Sequence, residues 1–198
     1  MRYERGVDER RRSEHVLLYG PPGAGKLTVA RALADRYGLR VLDNHLSVDP
    51  ALRLFAFGTP EFGAVVEQIR VTLLQAAARA GLDVVSTLVY AHGSDDAHLS
   101  SLIAASTGAG GRVTRVQLVP SMAALERRVQ AVSRAGTTKI NDPAVLHRLL
   151  AEHDLRTPAR ADDLVIDNTS LPPELVADLV ADHVGLVPFA PRDVRRST

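Results

Sequence analysis

Cysteine is absent from all 198 residues. That single absence removes disulfide scaffolds, thiolate zinc sites, iron–sulfur clusters and cysteine nucleophiles together. An excess of charge of one sign is also missing: 24 Lys and Arg against 23 Asp and Glu leave a formal charge of +1. Such a balance gives no global field for nucleic acid or an anionic membrane, so neither is expected as a partner. No apolar run approaches the length that crosses a bilayer. The opening Met1-Arg2-Tyr3-Glu4-Arg5 lacks the apolar stretch of a secretory signal, and a cytoplasmic location is expected. The seven histidines form no i, i+4 ligand pair with a third partner, which argues against zinc. No G-x-S-x-G nucleophile elbow occurs. With 45% apolar and 24% charged residues, the composition is that of an ordinary globular protein, and the length suits one domain.

Residues 1–14 mix Arg with Glu and Asp and offer little to bury, which predicts a disordered charged extension. A domain over 15–187 follows, and a loose tail is expected over 188–198. Within the domain, short apolar runs predict strands at 15–19, 39–42, 82–89, 113–119 and 164–167. Helical spacing predicts helices at 26–37, 60–80, 95–106, 121–133, 143–154 and 173–184. Thr59-Pro60 and Asp142-Pro143 each read as an N-cap followed by proline at the first helical position. Strands alternating with helices of about a dozen residues imply right-handed crossovers and a parallel sheet covered on both faces. The expected architecture is a three-layer α/β/α P-loop NTPase fold, with a five-stranded parallel sheet and a small helical lid over 133–143.

The strongest motif is Gly20-Pro21-Pro22-Gly23-Ala24-Gly25-Lys26, which fits G-x-x-x-x-G-K between a strand and a helix. Glycines there permit the backbone angles that turn consecutive amides inward, and the helix adds its positive dipole end. Lys26 is expected to reach the β- and γ-phosphates. The expected nucleotide-binding set is Gly20, Pro22, Gly23, Ala24, Gly25, Lys26, Leu27 and Thr28. The position after the lysine ordinarily carries a magnesium-ligating hydroxyl, and here it is Leu27. Thr28 could contribute only weakly, so magnesium should depend on the triphosphate, water and a carboxylate elsewhere.

The run Asp83-Val84-Val85-Ser86-Thr87-Leu88-Val89 has no acid at its C-terminal end, and no N-K-x-D motif reads a guanine base. Both facts weaken a motor or GTPase reading. The acid appears instead in Val41-Leu42-Asp43-Asn44-His45, at the end of the second strand. In an open parallel sheet, ligands bind beyond the carboxyl ends of the strands. Asp43 could therefore hold magnesium through water or accept the proton of an attacking hydroxyl.

On these motifs the chain resembles the shikimate kinase, gluconate kinase and nucleoside-monophosphate kinase group over roughly residues 15–185. Asp43 follows Lys26 at the interval of the aspartate that serves magnesium and the acceptor in shikimate kinases. Their second, substrate-gripping aspartate is here His45, and Arg70 stands in the place of a substrate-binding arginine. Their Gly-Gly-Gly is replaced by Leu88-Val89-Tyr90-Ala91-His92-Gly93. The resemblance also implies that Arg128, Arg134 or Lys139 closes over the phosphates from the lid, with Arg134 the first choice for the catalytic cation. Asn168 and Thr169 would lie in the loop that holds adenine.

The acceptor is expected between Asp43 and Gly81, a segment that carries three of the four phenylalanines. Its expected contacts are Asp43, His45, Phe57, Arg70 and Tyr90. The implied activity is transfer of the ATP γ-phosphate to a hydroxyl of a small organic molecule: a metabolite, a nucleoside-type compound or an antibiotic. ATP and Mg2+ are the expected cofactors, and a monomer or homodimer the expected state. A non-catalytic ATP sensor and a slow ATPase are the alternatives.

Overall fold

The computed structural model describes residues 12–131 and 140–189. The elements in chain order are β1 (Glu14–Tyr19), α1 (Lys26–Tyr37), β2 (Arg40–Leu42), α2 (His45–Leu52), α3 (Pro60–Arg79) and β3 (Val84–Leu88). Then come α4 (Asp96–Thr107), β4 (Arg112–Leu118), α5 (Met122–Val129), α6 (Pro143–Glu152), β5 (Leu164–Ile166) and α7 (Pro173–Val184). Five strands pair in the order β2-β3-β1-β4-β5, and every pairing is parallel.

Strand β1 shows why the sheet is covered twice. Alternate side chains leave opposite faces of a strand. Val16 and Leu18 enter a core with α1, α5, α6 and α7, through Leu33, Leu125, Leu146 and Val176. Leu17 and Tyr19 enter a second core with α3 and α4, through Leu74, Leu99 and Leu102. A near-continuous apolar run is the pattern such a strand requires. The helix following β1 and the helix following β3 thus lie on opposite faces, which opens a crevice at the carboxyl ends of these neighbours.

The capping chemistry decides several boundaries. Thr59 Oγ1 accepts from the Phe62 amide (3.3 Å) and Asp142 Oδ1 from the Ala144 amide (2.8 Å), each followed by proline. Gly38 closes α1 at φ 76°, donating its amide to the Ala34 carbonyl.

Four expectations differ from what is found. Glu14, assigned to the charged extension, opens β1: its amide donates to Asp83 Oδ1 (2.8 Å), and its carboxylate takes Thr114 Oγ1 (2.7 Å) and Arg112 (3.1 Å). Phe189, assigned to the loose tail, donates its amide to the Arg36 carbonyl (2.7 Å) and lays its ring over Gly38. Helix α5 stops at Val129 with Gln130 as its cap, short of 133. Helix α2 was not expected at all: it is two turns long, and Pro50 within it removes an amide, so the sequence offers neither length nor an uninterrupted period. The expected lid falls mostly outside the described residues, and 140–142 lead directly into α6.

His15 is a buried polar feature of the sheet. Its ring bridges Ser106 Oγ (2.8 Å) and Ser86 Oγ (2.7 Å), and burial pushes its pKa down to about 4. The unfolded chain takes up that proton near 6.5, so the stabilisation is complete above 6.5 and is lost as pH falls toward 4. Denaturant midpoints measured from pH 7 to 4 should show a loss of about 3 kcal/mol attributable to this group. A His15→Gln variant should lack that part of the slope.

Candidate functional site

Beyond Tyr19 the chain turns through three glycines with positive φ: Gly20 (139°), Gly23 (86°) and Gly25 (90°). The turn is packed against its surroundings as tightly as it is bent. A Cβ on Gly20 would sit 2.4 Å from the Leu118 carbonyl oxygen, and one on Gly23 would sit 3.0 Å from Val129 Cγ1. Ala24 is fully buried, and its carbonyl accepts from Asn168 Nδ2 (2.8 Å) and Arg128 Nη1 (3.4 Å). With that carbonyl turned into the protein, the loop is held from behind. Lys26 Nζ donates to the carbonyls of Gly20 (2.7 Å) and Pro21 (2.8 Å), which folds the ammonium back across the loop. Leu27 is half-buried and Thr28 is exposed in the first turn of α1.

Asn168 and Arg128 occupy one junction. Arg128 Nη2 donates to the Asn168 carbonyl (2.7 Å), and burial together with the neighbouring Arg127 charge lowers its pKa. Asn168 is buried, and its Oδ1 has no hydrogen-bond partner among the described residues. Thr169 Oγ1 accepts from the Ser121 amide (2.7 Å) and donates to Asp167 Oδ1 (2.5 Å), hydrogen bonding that lowers the Asp167 pKa. The three residues assigned to the nucleotide from α5 and the loop after β5 are thus one connected group behind the turn.

Asp43 follows β2, and the hydroxyl of Thr87, near the end of β3, donates to its Oδ1 (3.2 Å). The same Thr87 oxygen accepts from the Asn44 amide (3.0 Å). Sequence reading missed Thr87; a hydroxyl near the end of β3 is visible in the sequence, but its partnership with Asp43 is not. His45 Nδ1 lies 3.2 Å from Asp49 Oδ1, one turn along α2.

Two residues expected to face an acceptor do not. Arg70 is only 5% exposed and Tyr90 is fully buried. Arg70 falls on the buried stripe of α3 with Phe62, Val66 and Leu74, so its guanidinium is drawn under α2 instead of into the crevice. It donates to Ser47 Oγ (2.7 Å) and to both the carbonyl and the side-chain oxygen of Asn44. Burial lowers its pKa to about 10, opposed by the charge of Asp43. Tyr90 meets Tyr19 edge-on at 5.4 Å and donates its hydroxyl to Asp96, and burial pushes its pKa up to about 12. Phe57 is 79% exposed and leans on Phe62 at 5.1 Å. Arg134 and Lys139 lie outside the described residues.

No family model matches the chain, and no curated protein matches it in sequence. Solved structures do match. A tunicamycin resistance protein from Deinococcus radiodurans is 22% identical, covering 91% of this chain and 100% of that one, with a TM-score of 0.64. The APS kinase of Mycobacterium tuberculosis, solved with AMPPNP and APS, is 18% identical over 88% and 98% of the two chains, TM-score 0.63. Shikimate kinase from Acinetobacter baumannii, solved with shikimate, is 16% identical over 87% and 93%, TM-score 0.51. The fold is therefore that of the P-loop small-molecule kinases.

Because the turn and the sheet share no spare volume at Gly20, Gly20→Ala should destabilise the protein by at least about 2 kcal/mol. A drop in the urea midpoint at unchanged slope would register it.

Proposed function

We propose that the protein is an ATP-dependent phosphotransferase acting on a hydroxyl of a small organic molecule. The observation that carries this reading is the tight glycine turn from Gly20 to Lys26 beyond the central strand, with the Asp43 carboxylate directly after β2. Loop amides and Lys26 would bind the phosphates, since main-chain N–H groups and a helix N-terminus together form an anion site. The acceptor oxygen attacks the γ-phosphorus, and the bond from that phosphorus to the β–γ bridging oxygen breaks. ADP then leaves, and the acceptor proton passes to the Asp43 carboxylate. A lid cation, Arg134 first among Arg128, Arg134 and Lys139, would offset charge on the transferring group.

Magnesium fits this site on limited terms. Leu27 offers no side-chain oxygen, and among the described residues no three His, Asp or Glu side chains gather into a cation site. Asp43 would supply the one protein carboxylate, with phosphates and water completing an oxygen shell of the kind magnesium prefers. Bound there, the ion would neutralise phosphate charge. No described helix is long and apolar enough to cross a membrane, and the partner proposed is a small molecule, with no nucleic acid.

Leu27 also favours a second reading, an ATP sensor that binds without turnover. ADP release measured with and without an acceptor panel separates the two. The panel takes in APS, shikimate and tunicamycin, from the solved neighbours, together with simple sugars and nucleosides. Acceptor-stimulated release supports the transferase, tight AMPPNP binding without release supports the sensor, and acceptor-independent release supports a slow ATPase. Lys26→Ala should abolish measurable AMPPNP binding. Asp43→Asn should keep nucleotide affinity within about threefold while transfer falls by about 10²–10⁴-fold. Parental activity in Asp43→Asn would remove the catalytic role from that residue.

A further inference from the structure

Among the described residues, Arg70 is a cation with four protein acceptors, almost no exposure and no carboxylate hydrogen-bonded to it. Three of those acceptors belong to the start of α2: Ser47 Oγ, the Asn44 carbonyl and the Asn44 side-chain oxygen. The fourth is His98 Nε2, on α4, at 3.2 Å from Nη1. A guanidinium has only donors, so Nε2 of His98 must be the bare nitrogen and Nδ1 the protonated one. Nδ1 faces Glu67 Oε2 at 3.4 Å, which holds the ring in that tautomer. A chain of contacts therefore runs from Glu67 through His98 and Arg70 to Asn44, the residue immediately after Asp43.

Asn44 is gripped from the other side as well, through its amide, by the Thr87 hydroxyl that also reaches Asp43. Within α2, the Leu46 amide donates to the Asp43 carbonyl (3.0 Å), and the Ser47 and Val48 amides donate to that of Asn44. Moving Asn44 would move Asp43. Leaving the guanidinium without these acceptors would strand a buried charge, a cost large enough to hold the arrangement in one state.

We infer that Arg70, oriented by His98, is a positioning residue that fixes Asp43 through Asn44 and the first turn of α2, instead of a clamp on the acceptor. The role rests on the phosphotransferase reading for its consequence but not for its geometry. It assigns a function to a buried arginine, and it enlists two residues, His98 and Glu67, that lie apart from the phosphate loop in sequence.

The test uses the full chain with AMPPNP as the nucleotide probe and ATP turnover as the activity, with water or whichever panel acceptor stimulates release. In Arg70→Met, hydrogen exchange at the Leu46, Ser47 and Val48 amides should quicken at least tenfold, while exchange in β1 stays unchanged. Turnover kcat should fall at least tenfold with the AMPPNP Kd within threefold, and Arg70→Lys should recover part of both. If Arg70→Met does not fold, His98→Leu removes only the Nη1 acceptor and should shift the same amides at least threefold. Unchanged exchange at residues 46–48 would overturn the inference. So would a defect confined to the acceptor KM, the signature of a clamp. Should Asp43→Asn prove fully active while the 46–48 amides still answer to Arg70, the catalytic reading of Asp43 fails and the ordering role stands.

Discussion

The site depends on a backbone constraint: the chain leaving the central strand must turn sharply within a few residues while touching the neighbouring strand. Only a residue without Cβ fits at Gly20, where the Leu118 carbonyl leaves no room and φ is 139°. Once the turn is made, its direction is fixed from behind, because the Ala24 carbonyl is bonded to Asn168 and Arg128. On the proposed reading, an anion-binding concavity built from main-chain groups would need little reorganisation when a phosphate arrives. The side chains beneath it supply rigidity more than contact.

The same division of labour recurs at Asp43. On the proposed reading one carboxylate acts, and the groups around its segment hold it in orientation. Thr87 reaches it from β3, and Arg70 acts on it from α3 through Asn44. A buried guanidinium tied to acceptors of fixed geometry permits few alternative arrangements. The α2 and α3 elements also share a small apolar cluster of Ala51, Phe62 and Val66, distinct from the two cores that hold the sheet. The segment following β2 is thus joined to the rest both through that cluster and through the polar contacts of Arg70 and Thr87.

Most of the fold was legible because its signals are local. The glycine-rich turn, the Thr59 and Asp142 caps and the apolar strand runs each declare themselves within a few residues. Helix α2 escaped because Pro50 interrupts the only short period it has. Arg70 was placed on the correct helix and given the wrong surroundings. Its spacing from Phe62, Val66 and Leu74 shows that it lies on the buried stripe, and a charged residue there should have been read as internal. Tyr90 was misjudged for a related reason: position just past a strand end says nothing about whether Asp96 will draw the hydroxyl inward. Contacts between distant segments, such as Asn168 with Ala24 or Thr87 with Asp43, leave no pattern in a single sequence.

The attachment of Phe189 to Arg36 has a practical corollary. Helix α1 starts at the phosphate loop and ends at Gly38, so the segment after α7 is fastened to its far end, alongside the side of the sheet where Glu14 opens the first strand. The first and last described stretches therefore sit away from the carboxyl ends of the strands. A fluorophore or affinity handle grafted onto either stretch would leave the crevice mouth open, which makes the chain suited to surface immobilisation with the carboxyl ends of its strands turned outward.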